Sequence, residues 1–331
     1  MTIGFTNKPT NAGGPSTFQI NLTNYLKQNN INVTHDLNDK DLEYIIVLAS
    51  TSKIFSLIKC KYRKVKIVHR LDGINYKSIK KVKNIKLYLY LKTVNILMYF
   101  IRKYLSDIII YQSDFSKNWW NKVYGKENKK TFVIRNGADV KYIQHKKIQK
   151  KYEIICIEGN YDDIISLNYI EKTYLSLNKN IFSKFHIIGN TSKYFSEYFS
   201  KYKDIIIHGH IPRDEINNYR NINSIQLSVD FNTACPNSII EGMMHGVPII
   251  GIDTGSLKEL VGNKAGIICD YNGNSFKMDL PIDYANIGKS AELISRNYIE
   301  YSNNANIHAI RNFTIEKMGK NYLKAINWYI N

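Results

Sequence analysis

Four stretches of this chain combine residue types and spacings that could do chemistry. Asn11-Ala12-Gly13-Gly14-Pro15-Ser16-Thr17-Phe18 sets two glycines ahead of a helix start. Backbone without side chains can approach a ligand closely, and the free N–H groups of a helix end favour an anion. A tight turn with no ligand would read the same way. Val68-His69-Arg70-Leu71-Asp72-Gly73 closes an apolar run. Beyond the carboxyl end of a parallel strand, His69 and Arg70 could bind a sugar or phosphate while Asp72 supplies a carboxylate. An Arg–Asp pair pinning a loop is the alternative. In Thr233-Ala234-Cys235-Pro236-Asn237-Ser238-Ile239-Ile240-Glu241-Gly242-Met243-Met244-His245-Gly246, Pro236 stands at the first helical position and a glycine ends the helix. Glu241 sits among Ile239, Ile240, Met243 and Met244, where a carboxylate needs a partner. A ligand diol or a structural arginine would each serve. Thr254-Gly255-Ser256-Leu257-Lys258-Glu259-Leu260 is a second small-residue helix start suited to phosphate oxygens.

The elements that must hold these stretches alternate from end to end. Thr2–Thr6, Tyr44–Ala49, Val65–His69, Asp107–Tyr111 and Thr131–Arg135 read as buried parallel strands, separated by helices over 16–29, 52–59, 84–104 and 114–124. Ser16 and Asp114 are the expected N-caps. Val140–Lys151 is polar and Lys-rich, the expected linker. The alternation then restarts, with strands at 152–157, 185–189, 204–208, 224–229, 247–252 and 266–269. Helices are expected over 163–178, 213–219, 236–245 and 256–261, and in a tail from 283 to 330. The pattern implies an α/β fold of two doubly wound domains in tandem.

Length agrees, since 331 residues at roughly 150 per domain makes two. Residues 1–150 hold 28 basic and 9 acidic side chains, net +19; the remainder holds 18 and 19, net −1. The excess concentrates between Lys59 and Lys103, beside the apolar stretch from Leu87 to Phe100. A helix lying on an anionic membrane surface is one reading, and simple burial of an apolar helix is the other. Nucleic acid would also answer such charge, but no helix-turn-helix, zinc finger, RNP pair or GXXG loop accompanies it. Nucleic acid is therefore not the expected partner. Cys60, Cys156, Cys235 and Cys269 are scattered, which fits a reducing compartment. The first residues lack a secretory pattern, and charges interrupt Ile85–Leu105, so a cytoplasmic chain is expected, peripheral at most on the inner membrane face.

Gly13-Gly14, Asn136-Gly137-Ala138-Asp139, Pro236–Glu241 and Gly255–Glu259 together resemble glycosyltransferase family 4, the retaining nucleotide-sugar transferases of GT-B fold. Cys235 to Gly262 is similar to the branch with a "CPNS…E" signature, as is His69–Gly73. The resemblance implies two Rossmann-like domains facing a cleft: an acceptor domain over 1–145, a donor domain over 146–312, and a helix over 313–331 crossing back to the first. It implies donor binding by Glu241 on the ribose hydroxyls and by Gly255, Ser256 and Glu259; Gly13, Gly14, Asn237, Ser238 and Lys258 are the further donor-binding candidates. His69 and Arg70 would contact the acceptor, Asp72 would orient it, and Thr233 would lie beside the donor sugar. The substrates implied are a nucleotide diphosphate sugar and a glycan or lipid-linked acceptor; no metal or other cofactor is expected.

Two positions depart from the family pattern. Thr233 stands where an acidic residue is usual, and a hydroxyl cannot carry charge beside an oxocarbenium-like centre. Ile157-Glu158-Gly159-Asn160-Tyr161-Asp162-Asp163 holds no cation where an Arg and a Lys usually meet the diphosphate. Lys258, Arg213, a metal ion or backbone amides are the substitutes available. A binding subunit without turnover and a sugar-nucleotide epimerase are the alternative functions. Three further patterns have two readings each: the Asp39-Lys40-Asp41 triplet as a polar loop or a metal site, Trp119-Trp120 as core or with one ring stacking on sugar, and His208/His210, which are not at a metal-ligand spacing, as nucleotide-pocket lining or as residues at a strand end.

Overall fold

β-Branched runs such as Ile45-Ile46-Val47 and Ile108-Ile109-Ile110 form strands buried on both faces, the pattern of a parallel sheet under helices on each side. The computed structural model describes residues 1–10, 13–76, 85–141, 143, 151–161, 164–220 and 223–327. Lys77, Lys80, Lys81, Lys83, Asp162, Asp163, Trp328, most of the expected linker and the Arg213 side chain lie outside the described residues. The chain divides into two units. Unit 1 comprises Met1–Gly137 and Ile315–Asn331; unit 2 is Ala138–Thr314.

Unit 1 holds six parallel strands, Thr2–Phe5 (β1), Asn32–Thr34 (β2), Leu42–Leu48 (β3), Lys66–Leu71 (β4), Ile108–Tyr111 (β5) and Lys130–Val133 (β6), in the order β2-β1-β3-β4-β5-β6. Its helices are Gly14–Gln28, Ile54–Tyr62, Ile85–Phe100, Asp114–Tyr124 and Ile315–Asn327, with a π-helical turn at Ile101–Leu105. The last of these joins the unit 1 core, where Met318, Tyr322, Ala325 and Ile326 pack with Phe18, Leu22 and Leu26.

Unit 2 repeats the plan with Tyr152–Asn160 (β7), Phe182–Asn190 (β8), Ile205–Gly209 (β9), Ser224–Leu227 (β10), Ile249–Ile252 (β11) and Gly266–Cys269 (β12), ordered β12-β11-β10-β7-β8-β9 and all parallel. That is the Rossmann order, with its switch point between β7 and β10. Strand β2 and the helix Lys193–Phe199 were not expected from the sequence. β2 is a three-residue edge strand without an apolar run, and the helix is a seven-residue aromatic segment capped by Ser192.

The caps differ from expectation. Ser113, one residue before Asp114, accepts the Ser116 amide with its side chain. Gly13, at φ +93°, precedes the first helix, while the Ser16 hydroxyl lies inside that helix and meets the Thr10 hydroxyl at 2.8 Å.

Candidate functional site

In unit 2 the chain leaves β10, runs through Ser228–Pro236 and enters the helix Asn237–Met244. Asn232, at φ +57°, fixes this loop: its Nδ2 donates to the Ser275 carbonyl and its Oδ1 accepts from the Ser275 hydroxyl. The next residue, Thr233, lies on the Gly255 turn. The Ser256 amide donates to the Thr233 carbonyl at 3.0 Å. Gly255 has φ +65°, and a Cβ there would stand 2.6 Å from the Thr233 nitrogen. Thr233, Gly255 and Ser256 thus pack directly against one another.

The helix after this turn, Leu257–Val261, is only five residues long, so the expected helix start is in effect a turn with little axial dipole. What the turn offers instead is a hydroxyl. Ser256 is fully buried and its Oγ has no hydrogen-bond partner among the described residues; Ser238, on the helix Asn237–Met244, is half-buried, and its Oγ is likewise without one. A buried unsatisfied hydroxyl costs about 1–3 kcal/mol, a cost a ligand oxygen would relieve. Pro236 takes the N-cap place just before the helix, with extended backbone.

Glu241 has an arginine for its partner. Arg220, fully buried at the end of the helix Arg213–Arg220, donates Nη2 to Glu241 Oε2 at 3.0 Å. The pair borders a cavity of about 130 Å³ between the two helices, also lined by Asp139, Lys141, Asp214, Asn217 and His245. His245 Nδ1 sits 2.8 Å from the Glu241 carbonyl, and burial pulls its imidazole below the ordinary range. Sequence reasoning missed Arg220. The only signal was the need of Glu241 for a counter-charge, and the partner lies 21 residues away on another helix.

Lys258, the cation nearest the Gly255 turn in sequence, is held by Asp270 at 2.7 Å and Asp253 at 3.2 Å. Those two carboxylates, Asp270 first, hold its ammonium above the usual range. Its charge is already answered. Glu259 is half-buried on the same short helix. At the end of β7, burial and then the Asp230 carboxylate push Glu158 well above the ordinary carboxylate range, so its neutral form is favoured. Among the described residues no group of three His, Cys, Asp or Glu could hold a metal ion.

In unit 1, Gly13 and Gly14 lie at the start of the first helix; Asn11 and Ala12 are outside the described residues. His69 and Arg70 point inward, because both faces of the sheet around β4 are covered. His69 Nε2 meets the Ala49 carbonyl at 2.6 Å, and burial lowers the imidazole to about 4. Arg70 donates to Asp72 Oδ1 at 2.7 Å and Asn136 Oδ1 at 2.9 Å, and its guanidinium lies 3.9 Å from the Phe18 ring centre. Gln112 also donates to Asp72. His69 and Arg70 therefore brace the end of β4 from inside instead of presenting themselves to an acceptor. Asp72 keeps about a quarter of its side chain exposed, at 27%.

Trp119 and Trp120 are buried: Trp120 donates Nε1 to the Asp72 carbonyl, and Trp119 packs on Tyr76 and Phe115. Asp39 Oδ1 accepts the Asp41 amide, closing a local turn. His208 bonds to His186 and to the Tyr219 hydroxyl.

Residues 167–278, within unit 2, match the family described as Glycosyl transferases group 1. Among curated proteins none matches this chain. Solved structures share the architecture along its whole length. Sucrose-phosphate synthase from Thermosynechococcus elongatus is 11% identical, with 99% of each chain covered and a TM-score of 0.74. A glycosyltransferase from Rickettsia africae is 14% identical over 100% of this chain and 98% of that one, at 0.70. Anabaena HepE, solved with UDP and glucose, is 14% identical over 99% of both, at 0.68. The fold is GT-B, two Rossmann-like units, and the second carries the group 1 glycosyltransferase match.

Proposed function

We propose that this chain is a retaining glycosyltransferase of family 4 type, moving a sugar from a nucleoside diphosphate donor to a hydroxyl of a glycan or lipid-linked acceptor. The observation that carries the reading is in unit 2: unpartnered hydroxyls on Ser238 and Ser256, with Thr233 set against the Gly255 turn, inside the segment that matches group 1 glycosyltransferases. HepE, of the same fold, is solved with UDP and glucose.

Glu241 accepts the ribose hydroxyls. A carboxylate offers about four acceptor sites, so the Arg220 contact orients it for that task. The Ser238 and Ser256 hydroxyls donate to diphosphate oxygens. Thr233 and Asn237 border the sugar. In unit 1, Asp72 orients the acceptor hydroxyl and the Gly13–Gly14 turn offers backbone amides to substrate. The bond from the anomeric carbon to the diphosphate breaks, the acceptor oxygen bonds to that carbon on the same face, and the acceptor proton passes to the departing phosphate. A second reading, nucleotide binding without turnover, is favoured by Thr233 at the acid position and by the answered charge of Lys258.

Calorimetry with UDP, GDP and dTDP tests binding, and comparing UDP with its 2′-deoxy form tests the ribose contact without altering the protein. A hydrogen bond to a charged group contributes roughly 1.5–3 kcal/mol, so the deoxy form and Glu241→Ala should each bind at least tenfold more weakly. Equal affinities would remove Glu241 from the ribose. Steady release of free sugar from the donor separates the enzyme from the binding subunit.

A further inference from the structure

The helix Ile85–Phe100 is inside out. Its buried residues are Asn95 and Met98, while Leu89 (56% exposed) and Ile96 (64%), seven residues apart on one face, lie open to solvent. Asn95 is held where it is by Asn75: its Oδ1 accepts the Asn75 backbone and side-chain amides at 3.0 and 3.1 Å, and its Nδ2 donates to the Asn75 carbonyl at 2.8 Å. The outward apolar face is therefore fixed by specific bonds on the inward one.

A second helix adjoins it. Ile54–Tyr62 packs through Ile54, Leu57 and Ile58 against Phe100, Ile101 and Leu105, and Lys61 Nζ donates to the Leu105 carbonyl at 2.9 Å. It too turns large apolar groups outward. Phe55 is 83% exposed and Tyr62 87%, again seven residues apart. Neither helix contains an aspartate or glutamate, and exposed Lys59, Arg63, Lys64, Lys86, Lys92 and Lys103 lie on or directly beside them.

We infer that these two helices form a docking surface for an anionic phospholipid bilayer, with Phe55, Tyr62, Leu89 and Ile96 entering the headgroup boundary and the surrounding cations meeting lipid phosphates. Charge selects this occupant. A second copy of the chain would bring the same cations against each other, and a nucleic acid would meet the cations but leave the four large apolar groups in water. The docking does not rest on the glycosyl-transfer reading. Its partner is the lipid surface, whatever the unit 2 site binds.

Cosedimentation of the full chain with vesicles tests it, using pure phosphatidylcholine and a mixture containing about one third phosphatidylglycerol. Partition into the anionic vesicles alone is expected, and it should fall steeply with salt. Lys59→Glu with Lys92→Glu should weaken it by at least tenfold, each surface cation being worth roughly a fivefold change. Phe55→Ser with Leu89→Ser, both exposed positions, should weaken it without moving the melting temperature. No partition, or equal partition into neutral vesicles, overturns the inference. So does a lipid-free dimer that Phe55→Ser with Leu89→Ser dissociates, or binding to duplex DNA that the lysine variants abolish and the apolar ones leave intact. Calorimetry with UDP on the same samples reports the unit 2 site separately.

Discussion

Units 1 and 2 share a six-stranded parallel plan, yet they finish their strand ends in different ways. In unit 1, the charges at the end of β4 answer one another: Arg70 meets Asp72 and Asn136, and Gln112 also reaches Asp72. In unit 2, the chain beyond β10 and β11 leaves Ser238 and Ser256 hydroxyls buried with no partner. A paired buried charge strengthens a fold, whereas an unsatisfied hydroxyl is a standing cost that a ligand can relieve. Arg70 Nε and His69 Nδ1 also lack a partner among the described residues, so the difference lies in charge: the first unit pairs its buried guanidinium, and on the proposed reading the second keeps two buried hydroxyls for substrate.

Three experiments can break that contrast. The largest effect belongs to Arg70→Met. Removing the buried cation leaves Asp72 and Asn136 without their partner, and loss of about 3–5 kcal/mol is expected in urea unfolding. A loss below about 1 kcal/mol would mean that the unit 1 network is not structural. Next comes pH. The folded imidazole of His69, near 4, lies below the unfolded value of 6.5. The unfolded chain therefore binds the proton first, and stability present above pH 6.5 is lost as pH falls towards 4. The shift amounts to roughly 3 kcal/mol. Wild type minus His69→Gln, followed from pH 7.5 to 4, isolates it; parallel curves would contradict the buried neutral histidine. The smallest effect is Ser256→Ala. Nucleoside diphosphate affinity should fall by about 1 kcal/mol, while stability holds or rises, because an unsatisfied hydroxyl is removed. A stability loss with unchanged affinity would place Ser256 in the same structural class as Arg70.

Most of the framework was legible because period and length decide it. Short β-branched apolar runs such as Ile108–Ile110 favour buried strands over helices, and the expected helix over 114–124 agrees with Asp114–Tyr124. The motifs around Glu241 fall within the segment that matches group 1 glycosyltransferases. Sidedness was less legible. Alternation along Val68-His69-Arg70 would turn one residue outward in a half-exposed sheet, but layers on both faces draw His69 and Arg70 inside. The partner of Glu241 depends on how two helices meet, which no local pattern encodes. Phe55 and Tyr62 escaped notice for the same reason, since a short helix with apolar residues all round does not announce which face its neighbours will cover.

The helix Ile315–Asn327 carries a consequence for biosynthesis. Gly319 lies so close to the Tyr25 ring that any side chain there would collide with it, and Tyr322 and Ile326 are fully enclosed in the same core. During translation the first lobe to leave the ribosome must wait for its closing helix until the whole second lobe has been made. Unit 2, contiguous in the chain, can complete itself earlier, so the lobe begun first is the one finished last.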